Sequence, residues 1–486
     1  HDKTNSPTYT TDTAGVYWVV VEDLLDGCKV YTSAEVTVCG EQDMRSAVWF
    51  FGQNAGYNFN DPQQAISGPM VAPEGTSTIS DRNGNVLFYT NGETVWNREG
   101  NVMPNGTDIG GTPGSTNTIN SSQSAVIVPY PNDETLYYIF ITEEVVDQDG
   151  LNSYIMGYAV VDIKEDMGLG DVVIKNKPLF ERSTERVAAF TGSDSTWVVG
   201  HEWGTNTFRA YPVHPGGIGN PVLSSAGAIH GIGSPDDAQG YMNFSPAGNQ
   251  IAVAIQGQNA VEIFDFVDST GTIENPLRVD LNDSPYGIYF SANHLFVSTL
   301  QGALYRIRLD TTDAAIENTP PLEVFSGGVA LGAIQQSPTG QLLVARDGQG
   351  SLGQIIGADA PDDQVGFQEA GLQLAGGTTS GLGLPNFIQN LSTPISGATM
   401  FVDQFCLEEP TIFNGTGPCE SLDNYLWQIR PQGIDSVIFT SVQMNTDFQF
   451  TNPGFYDVSL NVNNCDLAFD TTMFQTVEIS GRPVLD

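Results

Sequence analysis

Basic residues are scarce in this sequence. Lysine and arginine together number 17 against 57 aspartates and glutamates, which gives a formal net charge of −40 over 486 residues. That balance, spread along the chain, argues against binding nucleic acid or an anionic membrane through a basic patch. No apolar run approaches the ~18 residues of a membrane-spanning helix, so membrane insertion is not expected. Sustained helical periodicity is missing as well, which turns the reading away from helical folds. The five cysteines and five histidines form no Cys-x-x-Cys or His-rich spacing, and neither metal nor cofactor is expected. The nearest approach to a calcium loop, Asp147-Gln148-Asp149-Gly150, has no ligand set around it. No Gly-x-Ser-x-Gly elbow occurs, and no helix follows Gly231-Ile232-Gly233-Ser234 to seat a phosphate.

Glycine and proline are plentiful, 53 and 27, and they punctuate short apolar strands. Gln239 to Phe266 reads as strand, Ser245-Pro246-Ala247-Gly248-Asn249 turn, strand Ile251 to Ile255, a second turn at Gln256 to Asn259, and an alternating strand Ala260 to Phe266. The phrase returns at Ser284 to Leu309 and at Leu331 to Ile356, where Ser337-Pro338-Thr339-Gly340 stands for Ser245-Pro246-Ala247-Gly248. A period of about 45 residues is that of four-stranded propeller blades. One such sheet cannot bury both faces alone, whereas several around an axis can. Earlier blades are read at Thr76 to Asn97, with an Asn83-Gly84 turn, at Gln123 to Val161, and at Val187 to Val213. Leu384-Pro385-Asn386-Phe387-Ile388 reads as a further inner strand that joins Trp49-Phe50-Phe51-Gly52 to close the ring. The expected fold class is therefore all-β, a seven-bladed propeller with six blades as the alternative, flanked by small β-sandwich modules.

The expected domains are 1–40, 41–393 and 394–486. Gly15 to Val21 and Tyr31 to Cys39 resemble the closing strands of an immunoglobulin-like module whose earlier strands are missing. Either upstream sequence supplies them, or another chain does by β-strand addition. The sequence starts at His1 without a signal peptide and is read as a mature or internal segment of an exported protein. All five cysteines, Cys28, Cys39, Cys406, Cys419 and Cys465, fall outside the propeller, as suits an oxidising, extracellular setting. Cys28 and Cys39 are close enough along the chain to pair, and the pairing of the other three stays open.

In the last domain, Pro453-Gly454-Phe455-Tyr456-Asp457-Val458-Ser459-Leu460-Asn461-Val462 resembles the polycystic-kidney-disease (PKD) type of immunoglobulin-like domain. The usual Trp-x-Phe-Gly-Asp-Gly is replaced by Trp427-Gln428-Ile429-Arg430-Pro431. With Trp49-Phe50-Phe51-Gly52, Thr78-Ile79-Ser80-Asp81, Leu87 to Gly92, Thr94-Val95-Trp96-Asn97, Val102 to Gly106 and Ser124 to Pro129, the chain resembles the propeller-plus-PKD region of large surface proteins exported by the type IX route of gliding-type bacteria. In that family a C-terminal sorting domain usually follows the PKD module. The resemblance implies an outer-surface or released protein with adhesive or structural work and no known reaction. It also implies O-glycosylation at Asp-Ser/Thr tripeptides, here at Thr13, Ser195, Ser269, Thr311, Ser436 and Thr471.

The search for chemistry finds no catalytic set. His201-Glu202 is conceivable as a general base facing the channel, but a hydrogen-bonded structural histidine is favoured. His230, in a glycine-rich loop with Asp236 and Asp237, reads as a connector between blades rather than a pocket wall. His214 and His294 carry no reading of their own. Trp96, Trp197 and Trp203 are placed in blade packing rather than against sugars. Asp81 sits one place too early for a sialidase Asp-box, and no arginine cluster awaits a substrate carboxylate. Carboxylate pairs set by spatial distance stay open. The expected function is a non-enzymatic structural or adhesive surface protein, a fibre subunit whose partners are other copies of itself or other surface proteins. The alternative is a glycan-binding or glycan-processing propeller.

Overall fold

In the computed structural model, the described residues are 15–22, 29–36, 44–60, 62–110, 120–131, 133, 135–146, 154–192, 195–231, 234–309, 312–358, 364–389, 399–403, 410–416, 424–434, 436–463 and 470–479. The chain divides into two compact units, Asp43–Ser392 and a second made of His1–Gln42 with Thr393–Asp486. No helix among the described residues is long and apolar enough to cross a membrane.

The larger unit is a series of antiparallel sheets, each built from consecutive strands. The first holds Ser77–Ser80, Val86–Thr90, Thr94–Asn97 and Val102–Thr107. The second holds Ala125–Pro129, Leu136–Ile141, Ile155–Asp162 and Asp171–Glu181. The third begins with Ser183–Thr191, Thr196–Glu202 and Thr207–His214. The fourth runs Met242–Phe244, Gln250–Ile255, Ala260–Val267, Thr272–Asp280. The fifth starts at Pro285–Phe290 and the sixth at Leu331–Gln336, each with three further strands. These are the repeats expected from the sequence, and the fold is all-β and propeller-like.

Within each repeat the turn chemistry decides the register. Ser245 N donates to Gln250 O at 2.9 Å and Gly248 N to Ser245 O at 2.9 Å. Gly248 takes φ 68°, and an added Cβ there would meet the Phe190 ring. Ser337 N donates to Gln341 O at 2.8 Å in the matching turn, with Gly340 at φ 83°. The strands bury both faces, as at Ile251–Ile255, so apolar residues run consecutively rather than alternate.

The first strands of successive sheets lie side by side and carry the core. Trp49, Tyr241, Tyr286, Ala333, Leu384 and Phe387 belong to one buried cluster. Val48–Asn58 pairs with Gln64–Ala72 as a two-stranded sheet, bridged to the end of the unit by Gln53 and Thr379. Trp49 and Phe387 meet with ring centroids 6.0 Å apart.

One expectation is corrected here. Leu384 to Ile388 does not extend a sheet as an inner strand; among the described residues Pro385 bridges Thr76 and the next residue on, Gln389, bridges Phe190, each as an isolated parallel bridge. The longer segment from Gly381 to Gln389 bonds toward three different sheets: Ala333 N donates to Leu382 O at 2.7 Å, Asn386 N to Thr76 O at 2.7 Å and Gln389 N to Ala189 O at 2.8 Å. Pro385 has no N–H to give a ladder, and Gly381 and Gly383 press so close to the 73–75 backbone that a side chain would collide.

The second unit contains a three-stranded sheet, Thr399–Asp403, Pro410–Thr416 and Asn445–Gln449, and a four-stranded sheet of Phe439–Ser441, Asn424–Pro431, Gly454–Asn463 and Asp470–Ile479. Alternation puts Tyr456, Val458, Leu460 and Val462 on the buried side with Trp427 and Phe413. The Tyr456 hydroxyl returns to Asn452 O at 2.9 Å. In the same unit Gly15–Glu22 pairs with Lys29–Val36 as an antiparallel hairpin, Gly15 opposite Val36.

Candidate active site

The starts of the first strands converge on a cluster of carboxyl and hydroxyl groups. Glu74 lies just before the first sheet, Ser122 just before the second, Glu185 inside the opening strand of the third, Tyr241 before the fourth and Tyr286 in the opening strand of the fifth. Backbone bonds lock these starts together: Gly75 N to Ser121 O at 3.1 Å, Gln123 N to Glu185 O at 3.1 Å and Tyr241 N to Tyr286 O at 2.7 Å. The Gln123 side chain adds a paired contact with Met242, giving 3.0 Å to its carbonyl and taking 2.8 Å from its N–H.

Glu185 is fully buried. Its Oε2 accepts from Ser122 N and Ser122 Oγ at 2.9 Å each, and its Oε1 from Val145 N at 2.9 Å. Burial outweighs these three donors and pushes the carboxyl up to about 7. Glu74 keeps an edge open to solvent and accepts from Tyr286 Oη at 2.8 Å through Oε2. Desolvation, then the charge of Glu185, pushes it up to about 8, and Glu144 adds to the effect. The Ser122 hydroxyl that donates to Glu185 accepts in turn from Gly240 N at 3.1 Å. Glu144, partly exposed, accepts from Asn120 Nδ2 at 3.3 Å. Glu74 therefore keeps its proton at neutral pH, the state a general acid needs. No group of His, Cys, Asp and Glu among the described residues has the geometry to hold a metal.

The residues singled out from sequence lie elsewhere. His201 is fully buried, stacked on His230 at 3.7 Å between centroids and edge-on to Phe208 at 4.6 Å. Burial first, then the charge of Arg186, holds His201 well below the usual imidazole range; burial and the neighbouring His201 do the same for His230. Neither is positioned to take a proton from a solvent-borne substrate. Arg186 Nη1 contacts His230 Nδ1 at 3.2 Å, and its other donors go to the carbonyls of Ala254, Asp237 and Gln239. Glu202 bonds Arg209 Nε at 2.6 Å. Asp237 accepts from Gly231 N and Gln258 Nε2 at 3.0 and 3.1 Å, and Asp236 is exposed. Trp96 stacks on Tyr89, Trp197 Nε1 donates to Asp268 Oδ1 at 3.0 Å, and Trp203 is fully buried, so all three tryptophans serve packing. Asp81 Oδ1 accepts from Asn83 N and Asn85 N at 2.9 and 2.8 Å, a turn and nothing more.

Of the expected modification positions, Ser269 and Ser436 are exposed, Ser195 is partly buried, and Thr471 lies in the strand Asp470–Ile479. Thr13, Thr311, Cys28, Cys39, Cys406, Cys419, Cys465 and Asp147 to Gly150 lie outside the described residues. The reading along the chain missed Glu74, Ser122, Glu185, Tyr241 and Tyr286. One signal was there: the charged pair Glu185-Arg186 directly before the apolar run Val187-Ala188-Ala189-Phe190 in one strand.

No protein-family model and no curated protein matches this chain. Among solved structures it is similar to a periplasmic gluconolactonase of Pseudomonas aeruginosa at 12% identity, with 81% of this chain and 98% of that chain covered and a TM-score of 0.37. A protein of Bacteroides uniformis named for 6-phosphogluconolactonase gives 13% identity, coverage of 84% and 96%, and a TM-score of 0.35. A functionally unknown protein of Desulfotomaculum acetoxidans gives 12%, 72%, 98% and 0.40 respectively. At these identities and TM-scores the likeness transfers no activity to this chain. The expectation of a non-enzymatic protein is nonetheless corrected: enzyme names occur among its structural neighbours, and that expectation rested on the lack of a linear catalytic set, whereas the Glu74 cluster assembles only in space.

Proposed function

We propose that this chain is a glycan-processing propeller protein whose acid–base chemistry is carried by Glu74 with Glu144, tuned by Glu185. The observation behind this reading is Glu74: open to solvent at one edge, held by Tyr286 Oη at 2.8 Å, and pushed up to about 8 so that it keeps its proton near neutral pH. Such a carboxyl gives its proton to a glycosidic or ester oxygen as the C–O bond breaks. Glu144 is the second carboxylate that transfer to water needs, and Tyr286 fixes the rotamer of the acid. Glu185 and Ser122 stay with the protein and set the proton affinity of Glu74. Glu74→Gln should lower kcat by about 100-fold or more on whichever aryl glycosides or sugar lactones the wild type turns over. The wild-type rate should fall on the alkaline side near the value given for Glu74. Equal turnover by Glu74→Gln and wild type across that panel would discard the assignment.

Several finer readings are proposed with it. The ring counts seven blades, the pair Val48–Asn58 and Gln64–Ala72 serving as the seventh; the Gln53–Thr379 bridge and the Trp49–Phe387 contact support this. The Trp427 unit is a PKD-like sandwich, supported by its two sheets and the Tyr456–Asn452 bond. Export to the cell surface by the type IX route rests on the phrases shared with that family. Exposure of Ser269 and Ser436 supports O-glycosylation there. The glycan-processing reading displaces the fibre-subunit role, because the cluster supplies chemistry that a passive fibre does not need.

A further inference from the structure

The seam between the third and fourth sheets holds buried polar groups that the proposed acid–base chemistry does not use. Arg186, fully buried in the opening strand of the third sheet, donates across that seam. Its Nε and Nη2 reach Ala254 O at 3.2 and 2.7 Å, in the second strand of the fourth sheet. Nη2 also reaches Asp237 O at 3.1 Å and Gln239 O, in the connection leading into that sheet. Nη1 meets His230 Nδ1 at 3.2 Å, and the fully buried His230 ring stacks on His201 at 3.7 Å with 21° between planes.

The chemistry of Arg186 fixes the state of His230. A guanidinium only donates, so Nδ1 presents its lone pair and the ring is neutral with its proton on Nε2. A second proton would enter at Nδ1 and set N–H against N–H at 3.2 Å, one cation facing another out of water. The surrounding acids are engaged elsewhere. Glu185 accepts from Ser122 and Val145, Asp237 from Gly231 N and Gln258 Nε2, and Glu202 from Arg209. Glu262 accepts from Ala228 N with Arg278 at 3.9 Å, Arg278 pairs with Asp280 at 2.8 Å, and Asp236 is exposed. Burial, the neighbouring His201 and the charges of Arg186 and Arg278 hold His230 well below the usual imidazole range. The ring therefore charges only in a form where it has left this place, and acid selects that form.

We propose that Arg186, His230 and His201 form an acid-released latch between the third and fourth sheets, closed at neutral pH and opened by a proton that His230 Nδ1 takes once Arg186 lets go. Opening uncovers Trp203, because His230 O accepts from Gly204 N at 2.8 Å and Trp203 shares a buried cluster with Ala238. The test follows tryptophan emission of the full chain from about pH 7 to about pH 4, with far-UV circular dichroism beside it. The wild type should show a reversible red shift with its midpoint below 6.5 while the sheet signal is kept. Trp203→Phe should lose that shift. His230→Asn offers Arg186 an acceptor oxygen that does not titrate in this range, and should keep the neutral-pH emission without the acid step. His230→Gln makes the same comparison should the shorter amide fail to fold.

Wild-type emission that stays constant down to the acid limit would overturn the latch. So would a shift that coincides with loss of the sheet signal, since that is unfolding of the whole unit. An acid step retained undiminished in a folded His230 variant would place the titrating group elsewhere and overturn it as well. Should neither variant fold, the wild-type emission and sheet signals decide by themselves.

Discussion

Two buried groups of titratable side chains pull the stability of this protein in opposite directions with pH. Glu74 and Glu185 have folded values near 8 and 7 against an ordinary 4.5, so between those limits the folded chain binds more protons than the unfolded one. Their contribution is fully present at acid pH and is lost as pH rises through about 7 to 8. The stacked pair His201 and His230 behaves oppositely: its folded values lie well below 6.5, so the unfolded chain takes up more protons and stability falls as pH drops below that point. We expect melting temperature to decline between about pH 6.5 and 8, where the carboxyl pair acts unopposed by the histidines, and to level off above that window. In Glu74→Gln the alkaline decline should be shallower, since one of its two sources is gone. Melts of both proteins across pH 5 to 9 check this; parallel curves would show that Glu74 titrates as an ordinary exposed acid. Neither group was legible along the chain. Burial at Glu185 and the like charge beside Glu74 exist only once separate sheets have met.

At the scale of elements, the segment from Gly381 to Gln389 does more than end the larger unit. It bonds to the backbone of three sheets, and its glycines exist for close approach. A Cβ on Gly383 would stand 1.9 Å from Glu74 O. Gly383→Ala must therefore push the segment away from residues 73–75, which carry the proposed acid. We expect a loss of about 1–3 kcal/mol from overpacking, read by urea denaturation, with a fall in kcat larger than any rise in KM. Full activity with lowered stability would show that Glu74 is held by the sheet start alone. The strand–turn–strand phrases were readable because each turn is a local device: Ser245 and Ser337 close their turns through bonds spanning a few residues. Leu384 to Ile388 was misread because its apolar pattern is that of a strand, while its partners lie hundreds of residues away, as in the Ser77 Oγ to Asn386 O bond at 2.8 Å.

At the largest scale, that of the unit Asp43–Ser392, the packing of its first stretch against its last is the energetic event. Consecutive sheets bury each other's faces, but the first and last stretches of the larger unit have no sequential neighbour, and they use each other. Trp49 is fully buried, with Phe59 at 4.9 Å and Phe387 at 6.0 Å between centroids. Trp49→Ala should cost about 3–5 kcal/mol, read as a shifted denaturation midpoint. Its effect should be cooperative, with a single transition for the larger unit, because opening the join exposes both neighbouring sheet faces. A midpoint unchanged by this substitution would mean that the meeting of the unit's two ends contributes nothing to its stability.

The sequence by itself determined the all-β class, the repeat period, the turns, and the alternating strand of the Trp427 unit. Those depend on contacts between residues close along the chain, and period and turn chemistry write them directly into the order of side chains. Only the tertiary structure decided that Glu74, Ser122, Glu185, Tyr241 and Tyr286 share one site, and that the final segment passes among the sheets instead of joining one. The physical reason is that a carboxyl's proton affinity is set by what surrounds it in space, and here each neighbour arrives from a different sheet.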